Sequence, residues 1–327
     1  VRVVVMGAGG YVGSRLVPAL LAEGHTVTAT FTDISSAGRF WWSDQVDVVE
    51  MDVLDRPAVR AACVGAEALV YLVHGLGGDD FATCDREGAY NAAHAAVRSG
   101  LERIVYLGGL VPDVPEGDLS PHLRSRLEVE QVLTDSGVPT LALRAAMVVG
   151  SGSTSFEIMR QMSDRLPVQV LPRWMDTHVE PVAVTDVLTA LVGALKAPPR
   201  SRAFDLGSGE RMAYAALLRL YADRAGLRRI QVSVPGLPTG LVSRLAPILT
   251  RAPARTVQSL VESLRHDMVC RGQDFVDELL PPGHALTPVE EALDRALAVP
   301  DEDVPDRDRD IIGPLTSDPP WVGVVVR

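Results

Sequence analysis

The first 24 residues, VRVVVMGAGGYVGSRLVPALLAEG, restrict the possible fold more than any other stretch of the chain. A continuous β-branched run breaks at a glycine cluster, and apolar residues then recur at helical spacing through Val12, Leu16, Leu20 and Leu21. The pattern is strand, tight loop, helix. Gly7, Gly10 and Gly13 stand at G-x-x-G-x-x-G spacing, and Gly9 adds the middle glycine of G-x-G. A glycine loop opening a helix lets backbone approach a pyrophosphate, which the unpaired N–H groups and positive end of the helix then bind. Tyr11 and Val12 fall inside the same loop and join the candidate site. Taken alone, the glycines also fit a tight turn without a ligand.

The chain beyond the loop favours the nucleotide reading. A second strand, residues 25–31, ends at Thr32 and Asp33, and Asp33 lies twenty residues past Gly13, where an acid can accept hydrogen bonds from a ribose 2'-OH. Further apolar strands are expected at 46–51, 68–73 and 103–108, separated by helical patterns at 56–63 and 83–99. Strands alternating with helices predict an α/β fold: a Rossmann-type, doubly wound parallel sheet with its ligand at the carboxyl ends of the strands.

Composition narrows the function. Hydrophobic residues make up 47% and charged residues 22%, which suits a packed globular chain. The net charge of -11 argues against a nucleic-acid partner. No apolar run approaches the length of a membrane span, and VRVVVM is too short for a signal peptide, so a cytoplasmic protein is expected. Cys63, Cys84 and Cys270 are scattered and are expected as buried thiols, and no histidine pair has metal-ligand spacing, so no metal is expected.

With these elements in order, the chain resembles the atypical and extended short-chain dehydrogenase/reductase family, in its NmrA-like and complex-I-subunit-like branch. The residues that carry the resemblance are GAGGYVG at 7–13, MDV at 51–53, YLVHG at 71–75, IVYLGG at 104–109, LRAAMVVGSGS at 143–153, PVAVTDV at 181–187 and FDLGSGE at 204–210. The resemblance implies that Asp52 and Val53 lie near an adenine, that Leu72, Val73, His74 and Gly75 run along the cofactor ribose, and that Gly108 and Gly109 face the nicotinamide. It implies NAD or NADP as cofactor. Thr32 stands where many NADP-binding members carry arginine, which leans toward NAD, with Arg39 placed to reach a 2'-phosphate.

Family members that reduce carbonyls or epimerise sugars use a serine or threonine after the fifth strand and a Tyr-x-x-x-Lys on the next helix. Here the serine region reads Gly108-Gly109, and Lys196, the sole lysine, has Val192 four positions before it. The helix offers His122 and Arg126 instead. Ser120-Pro121-His122 is a good helix start, with serine as N-cap and proline at the first helical position, so His122 and Arg126 share a face one turn apart. The helix's positive end favours a neutral imidazole. One reading makes His122 the proton-transferring group and Arg126 the residue that orients cofactor or substrate. The other makes His122 a helix start whose opposite face, Leu123, Leu127, Val129 and Val132, is core, with Arg124 and Arg126 paired to Glu128 or Glu130. His74 is a second strand-end candidate, and Asp186 is expected to cap the helix that comes after it.

Residues 1–150 are expected to form the NAD(P)-binding core, completed by about 178–207, with 151–177 and 208–300 forming a small, mainly helical substrate lobe and 301–327 an acidic tail. Leu241, Leu245, Ile248 and Leu249 make that lobe apolar; they either pack on the core or wall a pocket to which Trp41, Trp42 and Trp174 contribute. Two functions remain open. One is an atypical NAD(P)-dependent oxidoreductase acting on a small, largely apolar carbonyl or alcohol; the other is a non-catalytic NAD(P)-binding redox sensor or assembly factor. Homo-oligomerisation is compatible with both.

Overall fold

The computed structural model describes residues 1–75 and 80–322. Six strands, β1 (Arg2–Met6), β2 (Thr26–Phe31), β3 (Asp47–Glu50), β4 (Ala68–Tyr71), β5 (Arg103–Gly109) and β6 (Thr140–Ala145), join the strand Arg202–Leu206 in one parallel sheet. Its order is Arg202–Leu206, β6, β5, β4, β1, β2, β3. The fold is therefore the expected Rossmann-type doubly wound sheet. The unbroken apolar run of β1 reflects burial on both faces. Val3 and Val5 pack with Leu16, Val17 and Leu20 of α1 (Tyr11–Ala22), while Val4 and Met6 pack with residues of the opposite layer.

That opposite layer comprises α2 (Arg56–Ala62), α3 (Phe81–Ser99) and α4 (Pro121–Thr134), with α3 supplying Ala89, Ala92 and Ala96. After α5 (Thr154–Arg165), helix α6 (Val184–Lys196) packs beside α1. The later chain contains α7 (Tyr214–Arg224), α8 (Thr239–Leu245), α9 (Ala254–Ser263) and two further helices, Asp274–Leu279 and Val289–Leu297. Progress along the sheet reverses between β1 and β4, so the loops leaving those strands diverge and open a crevice. Gly7 and Leu72 face each other there: a Cβ on Gly7 would stand 3.2 Å from the Leu72 carbonyl carbon.

Three expectations need correction. Asp186 does not cap its own helix: α6 begins at Val184, and the buried carboxylate instead accepts hydrogen bonds from the Thr287 amide at 2.9 Å and pairs with His284 Nε2 at 2.9 Å. Among the cysteines Cys63 is buried, but Cys84 is exposed and Cys270 half-buried. The chain beyond the acidic run is also fastened down. Arg15 in α1 is wholly buried and requires an anion there. Asp318 supplies it through bonds of 2.8 and 3.0 Å, and the Ile311 carbonyl accepts from Nε at 3.0 Å.

Candidate nucleotide site and adjoining pocket

The glycine loop is shaped by contacts that exclude side chains. Gly7 has φ +89°, and a Cβ on Gly13 would lie 2.2 Å from the Gly7 carbonyl oxygen. Gly9 lies against Phe31, which would meet its Cβ at 2.9 Å. Gly10 is exposed at the N-cap of α1 and offers no side-chain cap. The first-turn N–H groups of Tyr11, Val12 and Gly13 therefore lack helical acceptors, and among the described residues no N-cap side chain bonds to them. An anion's oxygens fit that cradle.

The other predicted cofactor residues gather along the same edge. Asp33 Oδ1 accepts from Ser35 N at 2.9 Å and Ser35 Oγ at 2.6 Å, capping the turn Ile34–Arg39. Thr32 and Arg39 are exposed beside it. Asp52 accepts from Leu54 N at 2.9 Å, and the Val53 carbonyl accepts from Asn91 at 2.9 Å, so the turn after β3 is pinned. Leu72 and Val73 are half-buried beyond β4, and His74 is exposed. Gly75 N–H donates to Asp85 Oδ1 at 2.6 Å.

At the end of β5 the two glycines differ. A Cβ on Gly108 would meet the Tyr106 ring at 2.6 Å, whereas on Gly109 the nearest atom, Arg126 Cγ, is 3.6 Å away. Helix α4 starts as its sequence implies, with Ser120 Oγ accepting from Leu123 N at 3.3 Å and Pro121 in the first turn. Arg126 is buried and points to an acid absent from the sequence reading: its Nη1 lies 3.8 Å from Asp85 Oδ2. Nη1 makes no hydrogen bond among the described residues. Ser125 Oγ donates to the same carboxylate oxygen at 2.9 Å. The expected pairing with α4's own acids does not occur, because Glu128 pairs with Arg86 and Glu130 with Arg144.

His122 is half-buried, and its Nδ1 is enclosed without a hydrogen-bond partner among the described residues. Burial, reinforced by the Arg126 charge, pushes its imidazole down to about 3. His122 and Gly109 line an apolar cavity of about 160 Å³ together with residues of α5, α7, α8 and α9. Five of the eight methionines line it: Met147, Met159, Met162, Met175 and Met268. Thioether side chains adapt to irregular apolar ligands. Tryptophan does not supply the wall. Trp42 stacks on Phe40 in the core and donates to the Ser14 carbonyl, Trp41 is exposed, and Trp174 packs outside the lining. From α8 it is Val242 that faces the cavity, while Leu241, Leu245 and Ile248 are exposed. Sequence reasoning missed Asp85 and the methionines. A signal for the second existed, since four of the five, Met147, Met159, Met162 and Met175, fall within 29 residues of sequence, but periodicity does not show that they converge.

Comparison with known proteins agrees with this geometry. The model of a family described as NAD(P)H-binding matches residues 7–174. An uncharacterised protein of Mycobacterium tuberculosis is 29% identical over 195 residues, 59% of this chain but 20% of that protein. A 3-diazoavenalumate denitrifying reductase of Streptomyces sp. is 32% identical over 181 residues, 46% of this chain and 58% of that one. The matched region thus spans a fifth to somewhat over half of these relatives. Among solved structures, the Citrobacter sp. triphenylmethane reductase complexed with NADP(H) superimposes with a TM-score of 0.69 at 17% identity, covering 90% of this chain and 100% of that one. The chain belongs to the NAD(P)H-binding family.

Proposed function

We propose that this protein is an NAD(P)-dependent oxidoreductase that transfers hydride to or from a small, largely apolar carbonyl or alcohol. The observation that carries the reading is the position of His122 and Gly109. They line an apolar cavity at the carboxyl end of β5, the same edge of the sheet at which the glycine loop follows β1. The nicotinamide, when bound, supplies the hydride. The residues proposed to hold the cofactor are Gly7, Gly9, Gly10, Tyr11, Val12 and Gly13 at the pyrophosphate, Thr32 and Asp33 at the adenosine ribose, Asp52 and Val53 at the adenine, and Leu72 to Gly75 with Gly108 and Gly109 toward the nicotinamide. With Thr32 rather than arginine after β2, the reading favours NAD.

His122 is uncharged at neutral pH, so it offers one donor and one acceptor nitrogen. In this reading its N–H bonds the substrate oxygen and polarises the carbonyl; the N–H proton passes to that oxygen as negative charge develops, and the imidazolate left behind regains a proton from solvent. Arg126, with one nitrogen lacking a hydrogen bond, orients the ribose or the substrate. Segments 151–177 and 208–300, which contribute most of the cavity wall, form the substrate-binding part.

The depressed basicity of His122 supports a second reading, a redox sensor that binds NAD(P) without turnover. Titration with NADH and NADPH, followed by nicotinamide fluorescence, tests the common element. Gly10→Asp is the control: aspartate suits a helix N-cap but places a carboxylate in the anion cradle. Saturable binding to the native chain alone, followed by carbonyl-dependent NAD(P)H oxidation that falls at least tenfold in His122→Ala, is the expected result. Binding with no turnover across small apolar aldehydes and ketones selects the sensor, and no binding defeats both.

A further inference from the structure

We infer that the face built by α8 and the turns around it docks on an anionic lipid surface. From Ala225 to Val261 the chain contains five arginines, at 228, 229, 244, 251 and 255, and no acid, a local charge of +5 in a chain of net charge -11. The helical run 239–249 within it is apolar on two sides. Val242 faces the cavity, while Leu241, Leu245 and Ile248, spaced four and three residues apart, are 47%, 51% and 75% exposed. Single exposed leucines are ordinary, but three on one helical face are not scatter. Arg244 and Arg251 are exposed at its rim. Two acids, Asp118 and Glu262, line a groove at the Thr239–Gly240 end together with Arg265 and His266.

An apolar stripe edged by arginine matches a bilayer interface, where acyl chains take the leucines and anionic headgroups the guanidinium groups. It matches a second copy less well, because a two-fold contact on this face would set arginine against arginine. A nucleic acid would leave the apolar stripe unsatisfied. The inference does not depend on the role of His122. It does place the membrane surface on the outer side of the helix whose inner side walls the cavity.

The test is co-sedimentation of the full chain with vesicles of phosphatidylglycerol and, separately, of phosphatidylcholine. Binding is expected to phosphatidylglycerol only, and to weaken as salt rises. Arg244→Gln and Arg251→Gln should each weaken it about fivefold. Leu245→Glu/Ile248→Glu should abolish it while leaving circular dichroism and NAD(P)H binding as in the native chain. The inference is overturned if the native chain binds neither vesicle, if the double variant binds as well as native, or if the native chain is a dimer in solution that the double variant converts to monomer.

Discussion

Arg126 Nη1 lies 3.8 Å from Asp85 Oδ2, and both side chains are almost wholly buried, at 5% and 3% exposure. The carboxylate is held on its other side by the Gly75 amide and by Ser125, so one pair links α3, α4 and the loop leaving β4. Burial raises the Asp85 carboxyl above its ordinary range, opposed chiefly by Arg126.

Removing the arginine should therefore be costly in a pH-dependent way. Arg126→Ala leaves a buried, uncompensated carboxylate, and the expected loss at pH 7 is about 3 kcal/mol or more. A carboxyl whose folded pKa is raised destabilises the fold at pH above its unfolded value, and that penalty is relieved as pH falls through the folded pKa. The difference in Tm between native and Arg126→Ala should accordingly narrow on going from pH 7 toward pH 5. A difference that does not change with pH would show that Asp85 is not the group left stranded.

His122 should titrate in the opposite sense. Its folded pKa is depressed to about 3, below the ordinary histidine value, so the unfolded chain takes up a proton that the folded chain refuses, and stability falls as pH drops below about 6.5. At pH 5 the cost is on the order of 1–2 kcal/mol. His122→Gln should match native stability near pH 8 and exceed it near pH 5. Imidazole chemical shifts report the same quantity directly, and a His122 midpoint near 6.5 would contradict the enclosed, uncharged ring.

Much of this fold is legible from residue patterns, because its strands are buried on both faces and read as apolar runs such as Val3 to Val5, while its first loop is fixed by steric conflicts that only glycine relieves. Helix α4 is legible for a similar reason: Ser120 and Pro121 state its start locally. The Asp85–Arg126 pair is not legible, since residues forty-one positions apart meet only through the packing of α3 on α4. Nor is the choice of Val242 over Leu241 as the cavity wall, because an amphipathic pattern does not say which apolar side meets the core. The fastening of Asp318 to Arg15 lies 303 residues apart in sequence, and neither side chain announces the other.

The glycines at the two ends of the site should differ sharply in tolerance. Gly13→Ala places a methyl 2.2 Å from the Gly7 carbonyl oxygen and has no room to relax without moving the loop; it should abolish nucleotide binding and lower Tm. Gly109→Ser meets only ordinary contacts, the nearest at 3.6 Å from Arg126 Cγ. That variant should fold with a stability change within about 1 kcal/mol and retain NAD(P)H binding, while its hydroxyl alters carbonyl turnover in the cavity that His122 also lines. Fluorescence titration and thermal melting of both variants check the contrast, and equal damage from the two would remove it.

The Arg15–Asp318 contact predicts that the end of the described chain is structural. Arg15 stands in the helix whose first turn forms the anion cradle, with 0% side-chain exposure, and Asp318 is the carboxylate that hydrogen-bonds it. The Ile311 and Ser151 carbonyls accept further bonds from the guanidinium at 3.0 Å each, so they soften but do not replace the missing charge. Asp318→Ala should cost about 3 kcal/mol, because it strands a buried cation, whereas Arg15→Met/Asp318→Leu, which removes both charges and keeps the volume apolar, should recover most of that loss. Truncation after residue 305 should cost more than Asp318→Ala, since it also uncovers the core at Ile312 and removes the Trp321 carbonyl that accepts from Gln161 at 3.1 Å. Urea unfolding of the three variants measures the order. A truncated chain as stable as the native one would show that the contact merely rests on α1 and does not hold it.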